Sequence, residues 1–574
     1  MIASSGNRRP GKKKFAVALS LATFFAGVTA LGSPQSAAAA EAMLLAASSQ
    51  VETDRLSVVG IDTTGALSAA DGALPVDMWR DTPRSLVDAL LPRLPADTPS
   101  PAARALMRRL LLSGAAMPRG DAESGRLLDA RAWMLWRMGD TAAVLQLISA
   151  APVESRSASL WRLDTDARLL AGDASAACRT AEERIAEDPD VYWQKVLGFC
   201  QALAGDEDGA SLTIALLSER NEDVRSYRAL IDALGIRRSP PPKLVETTPL
   251  SLAMLRAAGV SPPPQTAEGE DLPLAAMIAR TETFAGPLRL TAGERAVAAG
   301  VLPAEEIYPL FAHVRSGKLL PTASRGGVPV EAPPASVTTV LREALAADET
   351  GINQIAWAVR VLDAGRQTGT WLQATHFVAP WLAAATPSAE TVGAAQSIIP
   401  ALLVLGERTR AEAWLDWLND ASNNLPQAEA AAQAVLPLAR LARLRQAQSW
   451  SADSLMNWWQ SERGQPGARL RAERLVTMLQ AAGETVPDAL WQSLLQGPAQ
   501  VSGTSIDPAF RAQLFRAARA RRVGEAVLLT LVGLGTDGPQ SLGISSLEVV
   551  VDSLRAVGLD ADARALAVEA VASR

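Results

Sequence analysis

The sequence predicts an all-α fold, an α-solenoid of antiparallel helix pairs in two helical-repeat segments joined by a Pro-rich region. Three observations predict it. Gly-Asp pairs begin at positions 139, 172 and 205, a constant spacing of 33 residues, and each closes one amphipathic run and opens the next. Similar turns return towards the C-terminus at Leu405-Gly406-Glu407, Ala482-Gly483-Glu484, Val523-Gly524-Glu525 and Val557-Gly558-Leu559-Asp560, with Gly524 and Gly558 again 34 apart. Between these stretches lie the runs Ser239–Lys243 (SPPPK) and Ser261–Gln265 (SPPPQ) and a Pro/Gly-rich segment at 321–334. At 574 residues, 48% apolar and 20% charged, the chain is too apolar to be disordered and long enough for two or more domains.

Residues 1–40 read as a secretory signal peptide. Arg8, Arg9, Lys12, Lys13 and Lys14 form a basic patch, Phe15 to Leu31 an apolar run, and Ala37 to Ala40 a small-residue run. Basic, then apolar, then small is the order such a signal needs, and the expected cut follows Ala40. The alternative is an uncleaved anchor, but Ser20, Thr23, Gly27 and Thr29 dilute a run already near the lower limit for spanning. Every later apolar run is broken by charge or Pro, so no membrane span is expected after signal removal. Losing five positive charges takes the net charge from −6 to −11, which argues against a nucleic-acid partner.

Residues 41–100 form an N-terminal extension with one expected strand, Leu56 to Ile61, and a helix around Pro83 to Leu91. Residues 101–234 read as helices with short turns between them. At each turn, Gly139, Gly172 and Gly205 suit the left-handed position that ends a helix. Asp140, Asp173 and Asp206 then cap the next helix. Residues 235–335 read as short helices on extended linkers, because Pro cannot continue a helix and stiffens the chain. Residues 336–574 form the second helical-repeat segment, with looser periodicity.

The segment 101–234 resembles the tetratricopeptide repeat (TPR) family. The best copy is Trp193 to Ala210, where Leu197-Gly198, Gly205-Asp206 and Ala210 stand at the family's Leu-Gly pair, turn and small-residue positions. In the preceding copy Trp161, Ala177 and Pro189 stand at its aromatic, small and closing-Pro positions. The resemblance covers about a quarter of the chain and implies stacked helix pairs with a concave face suited to peptides.

Cys178 lies 11 residues before Pro189, and Cys200 lies 11 after it. If Pro189 marks the turn between antiparallel helices, both thiols sit at the same height, and an oxidising compartment favours a disulfide between them. Two buried free thiols are the alternative.

Candidate chemistry is sparse. With two His and two Cys in the whole chain, multi-His and all-Cys metal sites are excluded, and no metal or cofactor is expected. Gly533-x-Gly535-x-x-Gly538, with Asp552 beyond it, matches the dinucleotide fingerprint, but the preceding stretch reads as a helix instead of the required strand. Met277 to Phe284 (MIARTETF) faintly resembles the catalytic stretch of lytic transglycosylases, which implies Glu282 as a general acid. Its spacing is one residue short and the family's downstream Gly-Met-Gln stretch is missing, so an exposed helical Glu is the reading preferred here. His313 and His376 sit among apolar neighbours, as packed or capping histidines do. Of 14 Trp, nine fall in the second segment, at Trp357, Trp371, Trp381, Trp414, Trp417, Trp450, Trp458, Trp459 and Trp491. Most read as interhelix packing. Trp458-Trp459 stands out, because adjacent residues cannot share one narrow buried stripe.

The sequence therefore reads as a non-catalytic, periplasmic interaction scaffold or adaptor, whose expected partner is a protein or peptide segment of the cell envelope. The alternative is a peptidoglycan-associated enzyme or glycan-binding protein using Glu282 or the Trp cluster.

Overall fold

A helix buries its apolar stripe only against another element, so a chain punctuated by Gly-Asp every 33 residues must stack its helices side by side. The computed structural model describes residues 60–121, 126–220, 222, 224–235, 247–269, 271–313, 335–447, 450–496 and 503–573. The signal sequence with Ala40, residues 56–59 of the expected strand, and the Pro-rich runs 239–243 and 321–334 lie outside them. Ile61 itself opens a 3-10 turn, Ile61–Thr63.

The fold is all-α, with no strand among the described residues and three isolated bridges. The 26 helices among the described residues begin with α1 (Arg84–Leu90) and α2 (Pro101–Leu112). Three helix pairs follow: α3 (Arg126–Arg137) with α4 (Thr141–Ser149), α5 (Ala158–Ala171) with α6 (Ala174–Ile185), and α7 (Val191–Ala204) with α8 (Glu207–Glu219). Next come α9 (Arg225–Leu234), α10 (Pro249–Ala258), α11 (Leu272–Arg280), α12 (Gly286–Ala298) and α13 (Tyr308–His313). The second segment runs through α14 (Val337–Ala347), α15 (Ile352–Thr368), α16 (Trp371–Ala384), α17 (Ala395–Val404), α18 (Arg408–Ala421), α19 (Pro426–Leu441), α20 (Ala452–Glu462), α21 (Ala468–Ala481) and α22 (Asp488–Leu495). It ends with α23 (Pro508–Arg519), α24 (Val523–Leu534), α25 (Ile544–Ala556) and α26 (Asp560–Ala572). No helix among the described residues is long and apolar enough to cross a membrane.

Consecutive helices pack pairwise, as in a helical-repeat fold; α3 also packs on α5 and α7 on α9, and Tyr192 of α7 hydrogen-bonds to Asp166 of α5. Gly139, Gly172 and Gly205 all have positive φ, at 77°, 90° and 77°. Asp140, Asp173 and Asp206 accept from the backbone N–H three residues on, at 3.0, 3.1 and 2.9 Å.

The helices of 247–313 are packed core instead of pieces on extended linkers. Helix α10 lies against α5 and α7, and α11 against α3 and α5, so this region covers the inner helices of the first segment. Leu250, Leu252, Met254 and Leu255 are buried, which offsets the ordering entropy of a short helix. Arg256 fastens the seat by donating to the carbonyls of Leu169 and Leu170 at the end of α5, at 2.6 and 3.0 Å.

The N-terminal stretch without an assigned fold is equally integrated. Buried Arg131 donates to the carbonyls of Leu111, Thr64 and Ser113 at 2.7, 2.7 and 2.8 Å, tying residues around Thr64 to the end of α2. Helices α24 and α26 pack on α2, so the order of packing closes on itself.

Candidate functional site

The inner helices leave one cavity of about 510 Å³ where α5, α7, α9 and α10 meet. Its walls combine Val191, Leu230, Leu250 and Met254 with Asp166, Asp190, Lys195 and the hydroxyls of Tyr192, Ser226 and Tyr227. Each polar group is placed by local structure. Asp190 caps α7 by accepting from the Tyr192 N–H at 2.8 Å. That fixes Tyr192 in the first turn, where its Oη reaches back to α5 and donates to Asp166 Oδ1 at 2.8 Å. Arg162, one turn before Asp166, pairs with Asp190 at 3.0 Å, and its guanidinium lies over the Tyr192 ring, 5.6 Å from the centroid. Lys195 sits one turn further along α7, 3.4 Å from Glu222.

Gly198, the glycine of the Leu197-Gly198 pair, has a physical reason. Tyr227 Oη donates to the Lys195 carbonyl at 2.7 Å, and a Cβ on Gly198 would collide with the Tyr227 Oη. The glycine lets α9 press its tyrosine onto the α7 backbone.

Burial pushes the Asp166 carboxyl up to about 7, against the opposing influence of the Tyr192 hydrogen bond and the Arg162 charge. Burial and the adjoining Asp166 hold the Tyr192 hydroxyl well above its ordinary value, so it stays a donor at every ordinary pH. The arrangement offers a carboxyl, hydroxyls and an apolar floor in one recess, which can orient and bind a ligand.

The residues singled out from sequence are spread elsewhere. Cys178 of α6 and Cys200 of α7 form a disulfide, with Cα atoms 5.7 Å apart. Gly139 and Glu282 both line a second cavity of about 530 Å³, with Arg256, Met277, Arg280 and Val301. Glu282 is exposed there, in the turn after α11 and not on a helix. His376 is packed, its Nε2 2.8 Å from the Pro99 carbonyl, and burial lowers its pKa below the ordinary value. His313 ends α13. Gly533 lies near the end of α24, while Gly535 and Gly538 form a loop that opens onto a short 3-10 turn, and Asp552 lies on α25. A helix therefore precedes the glycines, and the dinucleotide geometry is not formed.

The tryptophans of the second segment are packing residues: Trp371, Trp381 and Trp414 are buried, and Trp357, Trp417, Trp450 and Trp491 are half-buried. Trp458 and Trp459, the adjacent pair that cannot share one narrow buried stripe, are packing residues too. Both are buried, at 7% and 6% exposure, because α20 is covered on more than one side, with Trp459 Nε1 donating to Ser493 of α22 at 2.8 Å.

Sequence reasoning missed Asp166, Tyr192 and Tyr227. The one available signal was Lys195, among the few lysines of the chain, beside Asp190 and Tyr192 in a helix start. Comparison with models of known families, with characterised proteins and with solved structures gives no match to this chain.

Proposed function

We propose that this protein is an exported, periplasmic interaction scaffold built on TPR-like repeats, which holds a segment of another cell-envelope protein against its inner helices. The cavity between α5, α7, α9 and α10 carries this reading, because successive first helices of the pairs converge there with both apolar and polar groups. The basic, apolar, small order of residues 8–40 supports export. The Cys178–Cys200 disulfide supports an oxidising compartment. The test is in-cell photo-cross-linking from position 226, on the cavity wall, in a C-terminally tagged copy. A reproducible cross-link to one envelope protein is expected. Cross-links to muropeptides alone, or none, would overturn the scaffold reading.

A second reading, a peptidoglycan-acting enzyme, draws on Glu282 at the wall of the second cavity. Clearing of cell-wall material in a zymogram, lost with Glu282→Gln, is the result that would establish it.

A further inference from the structure

Charge matching across the first cavity is uneven. Arg162 is answered by Asp190 at 3.0 Å and Lys195 by Glu222 at 3.4 Å. Asp166 accepts from the neutral Tyr192 hydroxyl and forms no ion pair among the described residues; Arg162, whose charge acts on it, is paired with Asp190. Helix α10, which covers this side, contributes Thr248 and Ser251 and no charge to the wall. Both hydroxyls are engaged in the cap of α10, Thr248 Oγ1 accepting from the Ser251 N–H and Ser251 Oγ donating to the Thr248 carbonyl. Around them stand Leu230, Leu250 and Met254. The recess thus holds one acid with no ion-pair partner of its own, at the edge of an apolar floor.

We propose that Asp166 is the anchor for a cationic group, a Lys or Arg side chain or a peptide N-terminal ammonium, flanked by apolar residues in the bound segment. This rests on the scaffold reading above and names its ligand class. An ammonium entering the cavity donates to Asp166 while the Tyr192 Oη bond stays in place, and the apolar flanks cover Leu230 and Met254. The raised pKa of Asp166 agrees with this: burial penalises the carboxylate, and an arriving cation offsets that penalty. Charge-assisted hydrogen bonds of this kind are the strong ones, and the apolar surround weakens competition from water.

The test begins with a random dodecapeptide display selection on the purified protein with its disulfide intact. Selected peptides are then synthesised and their affinities measured by fluorescence polarisation. The expected winners carry Lys, Arg or a free N-terminus between apolar residues. Replacing that Lys by norleucine should weaken binding to the unaltered protein on the order of tenfold or more. Asp166→Asn, whose amide oxygen can still accept from Tyr192, should cost a similar factor. The two changes together should cost little beyond either alone, since each removes the same contact. A merely structural Asp166 would instead weaken the Lys and norleucine peptides equally, which overturns the proposal. Ser226→Trp, which fills the cavity, should abolish all binding. Acidic or neutral winners that Ser226→Trp abolishes would overturn the cationic ligand class and leave the groove standing. Winners indifferent to both variants, or no winners, would overturn the groove as well.

Discussion

Glycine turns show at the residue scale how equivalent sequence positions acquire unequal weight. Gly139 and Gly205 share a left-handed backbone, yet a Cβ at Gly205 meets open space while one at Gly139 falls 2.8 Å from Val301. Gly205→Ala should cost about 1–2 kcal/mol, the strain of an L-residue in that conformation. Gly139→Ala adds an overpacking cost of about 1–3 kcal/mol, because Val301 must move. Urea unfolding of the two variants checks this, and equal costs would show that the loop carrying Val301 yields freely. The turns themselves were legible because a Gly-Asp cap is satisfied within four residues. Asp166 was not, because what makes it unusual is its burial and a tyrosine 26 positions away, while Arg162 one turn earlier is paired with Asp190 instead.

The disulfide belongs to the element scale. It joins α6 to α7 across the turn holding Pro189, with a separation of 22 residues. Constraining that loop in the unfolded chain contributes on the order of 3 kcal/mol. The Cys178→Ser, Cys200→Ser double variant should lose about that much in urea unfolding, and reductant should shift the unaltered protein alone. A reductant-insensitive midpoint would show that helix packing already holds the pair. The pairing was readable because antiparallel helices with the turn halfway between two residues bring them to one height. The seat of α10 on α5 and α7 was not readable. Its Pro-flanked start signals only where a helix begins, and no local pattern says which groove an apolar stripe fills. The burial of both Trp458 and Trp459 escaped for the same reason, since the number of covered sides depends on α22.

For the whole molecule, the decisive contact joins the two ends of the described chain. Glu569 of α26 is buried and caps α2, accepting from the Ser100 hydroxyl and from the Ala102 N–H, the latter at 2.6 Å. Arg109 of α2 pairs with Asp562 at 2.5 Å, and His376 of α16 meets the Pro99 carbonyl just before α2. Burial pushes the Glu569 carboxyl up to about 8, from an ordinary value of 4.5. The folded chain therefore keeps a proton that the unfolded chain releases, so this contribution to stability is fully present below 4.5 and lost as pH rises through about 8. The urea midpoint should fall between about pH 5.5 and about pH 8.5, and Glu569→Gln should flatten that fall. An unchanged slope in the Gln variant would assign the pH dependence to other groups. Glu569→Ala should cost about 1–3 kcal/mol at either pH, by stranding buried donors at the start of α2.

Fold class, the register of the Gly-Asp turns and the site of the disulfide follow from the sequence alone. Each depends on interactions that close within a helix, a cap or one helical hairpin, whose period the chain carries openly. The cover that α10 and α11 place over the inner helices, the cavity around Asp166 and the closure of α26 on α2 were decided by tertiary structure. They join residues up to 469 positions apart. Which apolar stripe meets which, and which carboxyl is stranded from water, depends on the competition among the helices for the same buried surface.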